Sequence, residues 1–199
     1  MVELQRFLRN DDRDILAAAF EVENEQTFHL KELYKYMHRF LCYDEHFKSF
    51  NDDDKPEIFY FERQKPDGAR EHHIWWRFYM TPNKSKYYRW LLKFDFQTLY
   101  MGKKEVIKNG QKFKLDSGDV IIRIQGYLQL DYKNQWKKHW FLKNWDHYFR
   151  KRIYKPTIDY QKQELYKRVY KIQNKVKQYL QLALPEKIPS PYWPKKGMR

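Results

Sequence analysis

The densest run of chemically capable residues is EHHIWWRFYM, residues 71–80, where two adjacent histidines precede two adjacent tryptophans, an arginine and a tyrosine. Paired histidines invite a metal ion, but metal ligands must converge from one face. In an extended chain successive side chains point to opposite faces, so His72 parts from His73 and Trp75 from Trp76. The remaining histidines, His29, His38, His46, His139 and His147, are scattered along the chain. On a helix His139 and His147 would stand too far apart to share one ion. No metal site is expected.

The carboxylates offer little more. Asp52, Asp53 and Asp54 form a run typical of a solvated connection, and Glu62, Glu71 and Asp95 are strand carboxylates with no identifiable partner. The motifs GxSxG, HExxH, GxGxxG and the Walker phosphate loop are all absent. The chain therefore reads as a non-enzymatic protein without a cofactor.

What remains is binding chemistry. At a period of two, Ile74, Trp76, Phe78 and Met80 face a core, with His72 at the start of that row. His73, Trp75, Arg77 and Tyr79 face the other way. Neighbouring strands would add Arg89, Lys93, Arg123 and Tyr127 to this outer face, with Gln97, Gln125 and Gln129 between them. Rings set among cations and amides make a stacking platform for the bases of single-stranded nucleic acid, at about 1–3 kcal/mol per base. Two plainer readings compete. Cross-strand pairs stabilise any half-exposed sheet by about 0.2–1 kcal/mol each. Alternatively, another chain or the N-terminal segment covers this face.

A second candidate is KNQWKKHWFLKNWDHYFRKR, residues 133–152. Its Lys137, Lys138, Lys143, Arg150, Lys151 and Arg152 suit phosphates or an anionic membrane surface. Its many rings argue first for packing against a sheet.

The elements that must position these residues follow from periodicity. Residues 15–23, ILAAAFEVE, suit a strand that the alanines weaken. Thr27 offers an N-cap to an amphipathic helix that carries Phe28, Leu30, Leu33, Tyr34, Met37, Phe40 and Leu41 at helical spacing. From residue 57 the period becomes two. EIFYFERQ, EHHIWWRFYM, YYRWLLKFDFQTLY and DVIIRIQGYLQLDY read as strands. Lys65-Pro66-Asp67-Gly68 supplies turn chemistry, and Asn109-Gly110 is a strong hairpin signal. Tyr88, Trp90, Leu92, Phe94 and Phe96 share one face, as do Val120, Ile122, Ile124, Leu128 and Leu130. Gly126 falls in the latter row and suggests a bulge or bend.

Beyond the aromatic helical stretch, Lys155-Pro156-Thr157 permits a break and a new helix over residues 157–184. Its seam is Leu165, Val169, Ile172, Val176, Tyr179 and Ala183, and its length is roughly 40 Å. The expected fold is α+β: an antiparallel β-meander packed on one face by a long C-terminal helix and a shorter N-terminal helix. Residues 1–184 would form one domain and residues 185–199 a basic Pro-rich tail, in which Tyr192 and Trp193 could pin an extended arm.

Composition agrees with a folded chain. Of 199 residues 19% are aromatic, too many for a disordered polymer. The single cysteine, Cys42, excludes an internal disulfide and fits a reducing compartment. The charged N-terminus has no secretory core, and no stretch approaches the roughly 18 apolar residues of a membrane span. A cytoplasmic setting is expected. Net charge is +14, and residues 101–199 hold 24 Lys and Arg against 8 Asp and Glu. Such a field attracts polyanions, although a solvated lysine-rich surface has the same composition.

The order of strand, helix, antiparallel strands and long terminal helix over residues 15–184 resembles the helix-grip, or START-like, arrangement. That resemblance implies a curved sheet around the last helix, often with an apolar cavity between them. LKELYKYMHRFL, IWWRFYM, KNGQKFKL and GDVIIRIQGYLQLDYKNQW are also similar to an uncharacterised family of small archaeal proteins, which implies no particular activity. The expected function is binding of RNA or a ribonucleoprotein. The alternatives are a helix-grip carrier of a lipid or other apolar ligand, and a subunit of a larger assembly. Bulky inward rings weigh against a large cavity.

Overall fold

The computed structural model describes residues 8–9, 11–51, 55–108 and 111–182. The Asp52–Asp54 run, the Asn109–Gly110 turn, Ala183 and the tail with Tyr192 and Trp193 lie outside the described residues. Six strands form one antiparallel sheet: β1 (Asp14–Asn24), β2 (Lys48–Ser49), β3 (Glu57–Gln64), β4 (Arg70–Met80), β5 (Tyr88–Lys108) and β6 (Gln111–Leu130). Strands β3 to β6 run as the expected meander. The first strand then closes beside the last, giving the order β1-β6-β5-β4, with β2 and β3 sharing the far edge of β4. The helices are α1 (Leu30–Arg39), α2 (Gln135–Lys138), α3 (Leu142–Tyr148) and α4 (Lys155–Tyr179). The fold is α+β.

The alternating rows predicted for the strands are the rows that are buried. Trp76, Phe78, Phe94, Phe96, Ile122 and Ile124 are sealed from solvent on the inner face. Trp76 stands at the centre. It stacks on Phe94 at 5.5 Å and meets Phe96 and Tyr34 edge-on at 4.9 and 4.7 Å. These offset and edge contacts are the arrangements that ring quadrupoles favour. From above, α4 covers β1 and β6 with Leu165, Val169, Ile172 and Val176, all fully buried.

Ala18 of β1 and Gly126 have one explanation. Ala18 and Gly126 are register partners beneath α4. A Cβ at Gly126 would lie 2.6 Å from Val169 Cγ2, closer than side chains pack. Small residues here let the helix sit down on the sheet. A bulge does occur, but in the neighbouring strand, as a register slip between Leu16 and Ala18.

Three expectations are corrected. First, Thr27 does not cap α1. The helix begins at Leu30, whose N–H donates to the Asp116 carboxylate of β6 at 2.9 Å. Asp116 and Phe28 also form a two-way backbone bridge, so a distant strand supplies what a local cap would have supplied. Second, α4 starts at Lys155, with Pro156 in its first turn, where a missing N–H costs nothing. Third, the aromatic stretch is not one helix packed on the sheet. It breaks into α2, α3 and a π-helical turn, Phe149–Ile153. Trp136 and Phe149 pack with Tyr87, but Trp140, Phe141, Trp145 and Tyr148 stay exposed. The physical reason is that α1 and α4 already occupy the sheet's inner face.

Candidate nucleic-acid interface

The outer face of the sheet gathers eight of the residues singled out by periodicity. On β4, His73, Trp75, Arg77 and Tyr79 alternate with the buried row. The register sets Lys93 opposite Arg77 and Asp95 opposite Trp75 on β5; on β6 Arg123 lies across from Asp95 and Gln129 across from Arg89. Tyr127 lies across from Leu91.

Sequence reading missed the rest of the aromatic row. Strand β3 pairs with β4 so that Phe59 stands beside Trp75 and Phe61 beside His73. The Phe59 and Trp75 rings are 4.5 Å apart, Phe61 and His73 are 6.0 Å apart, and Phe59 and Phe61 lie nearly parallel, 14° between planes. All three larger rings are exposed, Trp75 at 42%. The alternation in EIFYFERQ already separates Phe59 and Phe61 from Tyr60. Only the pairing register reveals which neighbours they meet.

Not every cation on this face is free. Arg77 sits over the Trp75 ring at 5.7 Å and is ion-paired with Asp95. Arg123 is held by Glu21 at 2.5 Å and by Gln97 at 2.8 Å, tying three strands together. Lys93 forms no ion pair among the described residues, although the Asp95 carboxylate acts on it, and it lies 5.7 Å from the centre of the Tyr127 ring. Burial holds its pKa below the ordinary lysine value, and the Arg77 charge adds to that effect.

The row continues towards the sheet's end. Tyr79 meets Phe50 at 4.9 Å, and Arg89 sits between the rings of Phe50 and Tyr132, 5.2 Å from each. Its Nε donates to Gln129 Oε1 at 2.7 Å, and Gln129 in turn donates to Asp14. The Arg89 guanidinium forms no ion pair among the described residues, and Asp14 only partly offsets the effect of burial. Burial and the charge of Arg9 hold its pKa down. Beside it opens a cleft of about 840 Å³ lined also by Arg13, Lys137 and Lys138. Asp131 binds the Trp136 and Lys137 backbone N–H groups, which fixes α2 at the rim. Arg9 and Arg13 are consumed by Asp14, Asp11 and Asp131. Arg89, Lys137 and Lys138 are left to meet an anion.

The remaining predicted cations are elsewhere. Arg150, Lys151 and Arg152 lie on the π-helical turn before α4. Arg150 is not free, because Asp12 and Asp146 hold it at 2.9 and 3.1 Å.

A second concavity lies between α1 and the β3–β4 end of the inner face. It measures about 610 Å³ and is lined by Leu30, Tyr34, Tyr60, His72, Ile74 and Met101, with Lys31, Lys35, Arg70 and Lys103 around it. The buried Tyr34 hydroxyl has no hydrogen-bond partner among the described residues. His72 Nδ1 lies 2.8 Å from the Thr98 hydroxyl, which accepts the His72 backbone N–H and keeps its own proton to give. That contact suits a neutral ring. Burial, the largest influence, lowers the His72 pKa, while Glu62 opposes the shift.

Among the described residues no group of three or more His, Cys, Asp or Glu side chains converges on a metal-sized site, and no helix is long and apolar enough to cross a membrane. No protein-family model, curated protein or solved structure matches the chain.

Proposed function

We propose that this chain is a non-enzymatic binding protein for single-stranded nucleic acid, with RNA, free or within a ribonucleoprotein, as its partner. One observation carries the reading: Phe59, Phe61 and Trp75 form an exposed row on the outer sheet face, and the same face runs on to Lys93 and Arg89. Bases stack on the rings regardless of sequence, and the cations take the phosphates. Base edges meet few fixed donors or acceptors on such a surface, so sequence preference is modest. The excess of Lys and Arg in the C-terminal half adds long-range attraction.

The test is a salt titration of binding to a short single-stranded RNA, with wild type beside Phe59→Ala/Trp75→Ala. Binding should weaken steeply with salt, and the double variant should lose about 1–3 kcal/mol for each base that no longer stacks. Absence of binding at low salt would end this reading.

The cavity under α1 favours a second reading, a carrier of a small apolar ligand with a polar end. Its volume of about 610 Å³ lies within the roughly 300–1,000 Å³ of ligand pockets. Closure of β1 on β6 beneath α4 is in keeping with a helix-grip arrangement. Displacement of a fluorescent apolar dye, lost in Ile74→Trp, would support the carrier; no dye uptake would remove it.

A further inference from the structure

The segment between β6 and α4 holds a surface that the nucleic-acid reading does not use. Trp140, Phe141, Trp145 and Tyr148 touch one another in sequence, with ring centroids 5.8, 5.9 and 5.9 Å apart. Each is about half exposed or more, and Trp140 is 82% exposed. Ile153, on the following turn, is exposed as well. Large rings in contact with each other and with water cost free energy, and a contiguous patch of them marks an interaction site.

The neighbouring charges identify the occupant. Lys143, Lys151 and Arg152 have no acidic partner among the described residues. The one carboxylate of α3, Asp146, is already engaged by Arg150 and the Tyr87 hydroxyl. The segment thus carries exposed rings and, on the same short elements, exposed cations that no carboxylate engages among the described residues. A protein partner would use the rings and Arg152, residue types enriched at protein–protein interfaces, but not Lys143 and Lys151, since lysine is depleted there. A nucleic-acid strand would leave the aliphatic Ile153 without a use, since stacking needs rings. An anionic bilayer surface uses every part: tryptophan and tyrosine settle at the headgroup level, and lysine and arginine meet the lipid phosphates and carboxylates.

We propose that the α2–α3 segment docks the protein on an anionic membrane surface, with Trp140, Phe141 and Trp145 entering the headgroup region and Lys143, Lys151 and Arg152 holding it there. The elements are short, so the segment lies on the membrane and does not span it. The residues assigned to docking do not include Phe59, Phe61 or Trp75 of the outer sheet face.

Vesicle co-sedimentation tests the proposal on the full chain, with phosphatidylcholine vesicles with and without phosphatidylserine. Wild type should sediment only with the phosphatidylserine vesicles and be released by salt. Lys143→Gln/Lys151→Gln/Arg152→Gln should lower partitioning roughly a hundredfold, each cation contributing roughly fivefold. Trp140→Ala/Trp145→Ala, which removes exposed rings and should leave the circular dichroism spectrum unchanged, should abolish it, whereas Trp75→Ala should not alter it. No sedimentation of wild type with either vesicle would overturn the proposal. So would a concentration-dependent self-association that the Trp140→Ala/Trp145→Ala variant removes, in the absence of vesicle binding. Loss of RNA binding in that variant without vesicle binding would likewise reject the membrane and assign the patch to nucleic acid.

Discussion

Trp75 and Trp76 are neighbours in the chain and opposites in the fold. Trp76 is fully buried, ringed by Tyr34, Phe78, Phe94 and Phe96. Trp75 is 42% exposed and leans on Phe59 at the sheet's rim. The same residue type serves stability on one face and contact on the other, and one step of the strand decides which. The inner face is saturated: α4, α1 and the facing rows leave its rings no free surface except at the α1 cavity. The outer face keeps its rings unsatisfied, and that is where binding can be won.

The sharpest way to break this contrast is to truncate each tryptophan. Trp76→Ala should cost about 3–5 kcal/mol in urea denaturation, the usual loss for a large aromatic core residue. Trp75→Ala should cost under about 1 kcal/mol, the scale of a cross-strand pair. Equal losses would mean that the outer row is also core. Next in size, Gly126→Ala should destabilise by about 1–3 kcal/mol, because its methyl group would press on Val169 beneath α4. A stabilised variant would show that α4 is free to rise from the sheet.

A smaller effect comes from His72. Its folded pKa lies below the ordinary value of about 6.5, so within that window the unfolded chain binds more protons. Its contribution is complete above about pH 6.5 and is lost as pH falls through the lowered folded pKa. Denaturation midpoints measured across this range should drop on acidification, and His72→Gln should flatten that drop. The smallest effect separates free from engaged cations. Lys93→Gln should reduce the salt slope of RNA binding by about one, whereas Arg123→Gln, already matched by Glu21, should change it less.

Much of the contrast was legible in the sequence because a period of two needs no knowledge of partners. The buried rows of β4, β5 and β6 and the exposed His73–Trp75–Arg77–Tyr79 row follow from alternation alone. What alternation leaves open is register and coverage. Phe59 and Phe61 join the site only because β3 pairs with β4 at one particular offset. Asp116 caps α1 only because the far end of β6 lies beneath it. The aromatic stretch at 136–149 carries as many rings as a core helix. Four of these rings, Trp140, Phe141, Trp145 and Tyr148, stay outside because α1 and α4 have already covered the sheet, a condition set by the whole fold. Pairing of Arg77, Arg123 and Arg150 with carboxylates has the same origin, since each partner is contributed by tertiary structure or a neighbouring turn.

The central claim is that single-stranded nucleic acid lies on the outer sheet face. Ultraviolet crosslinking of a short uridine-rich RNA to the full chain, followed by mass-spectrometric mapping, tests it most directly. The account predicts crosslinks on the strand peptides that carry Phe59, Phe61 and Trp75. Crosslinks confined to the α2–α3 segment, or none at low salt, would contradict it.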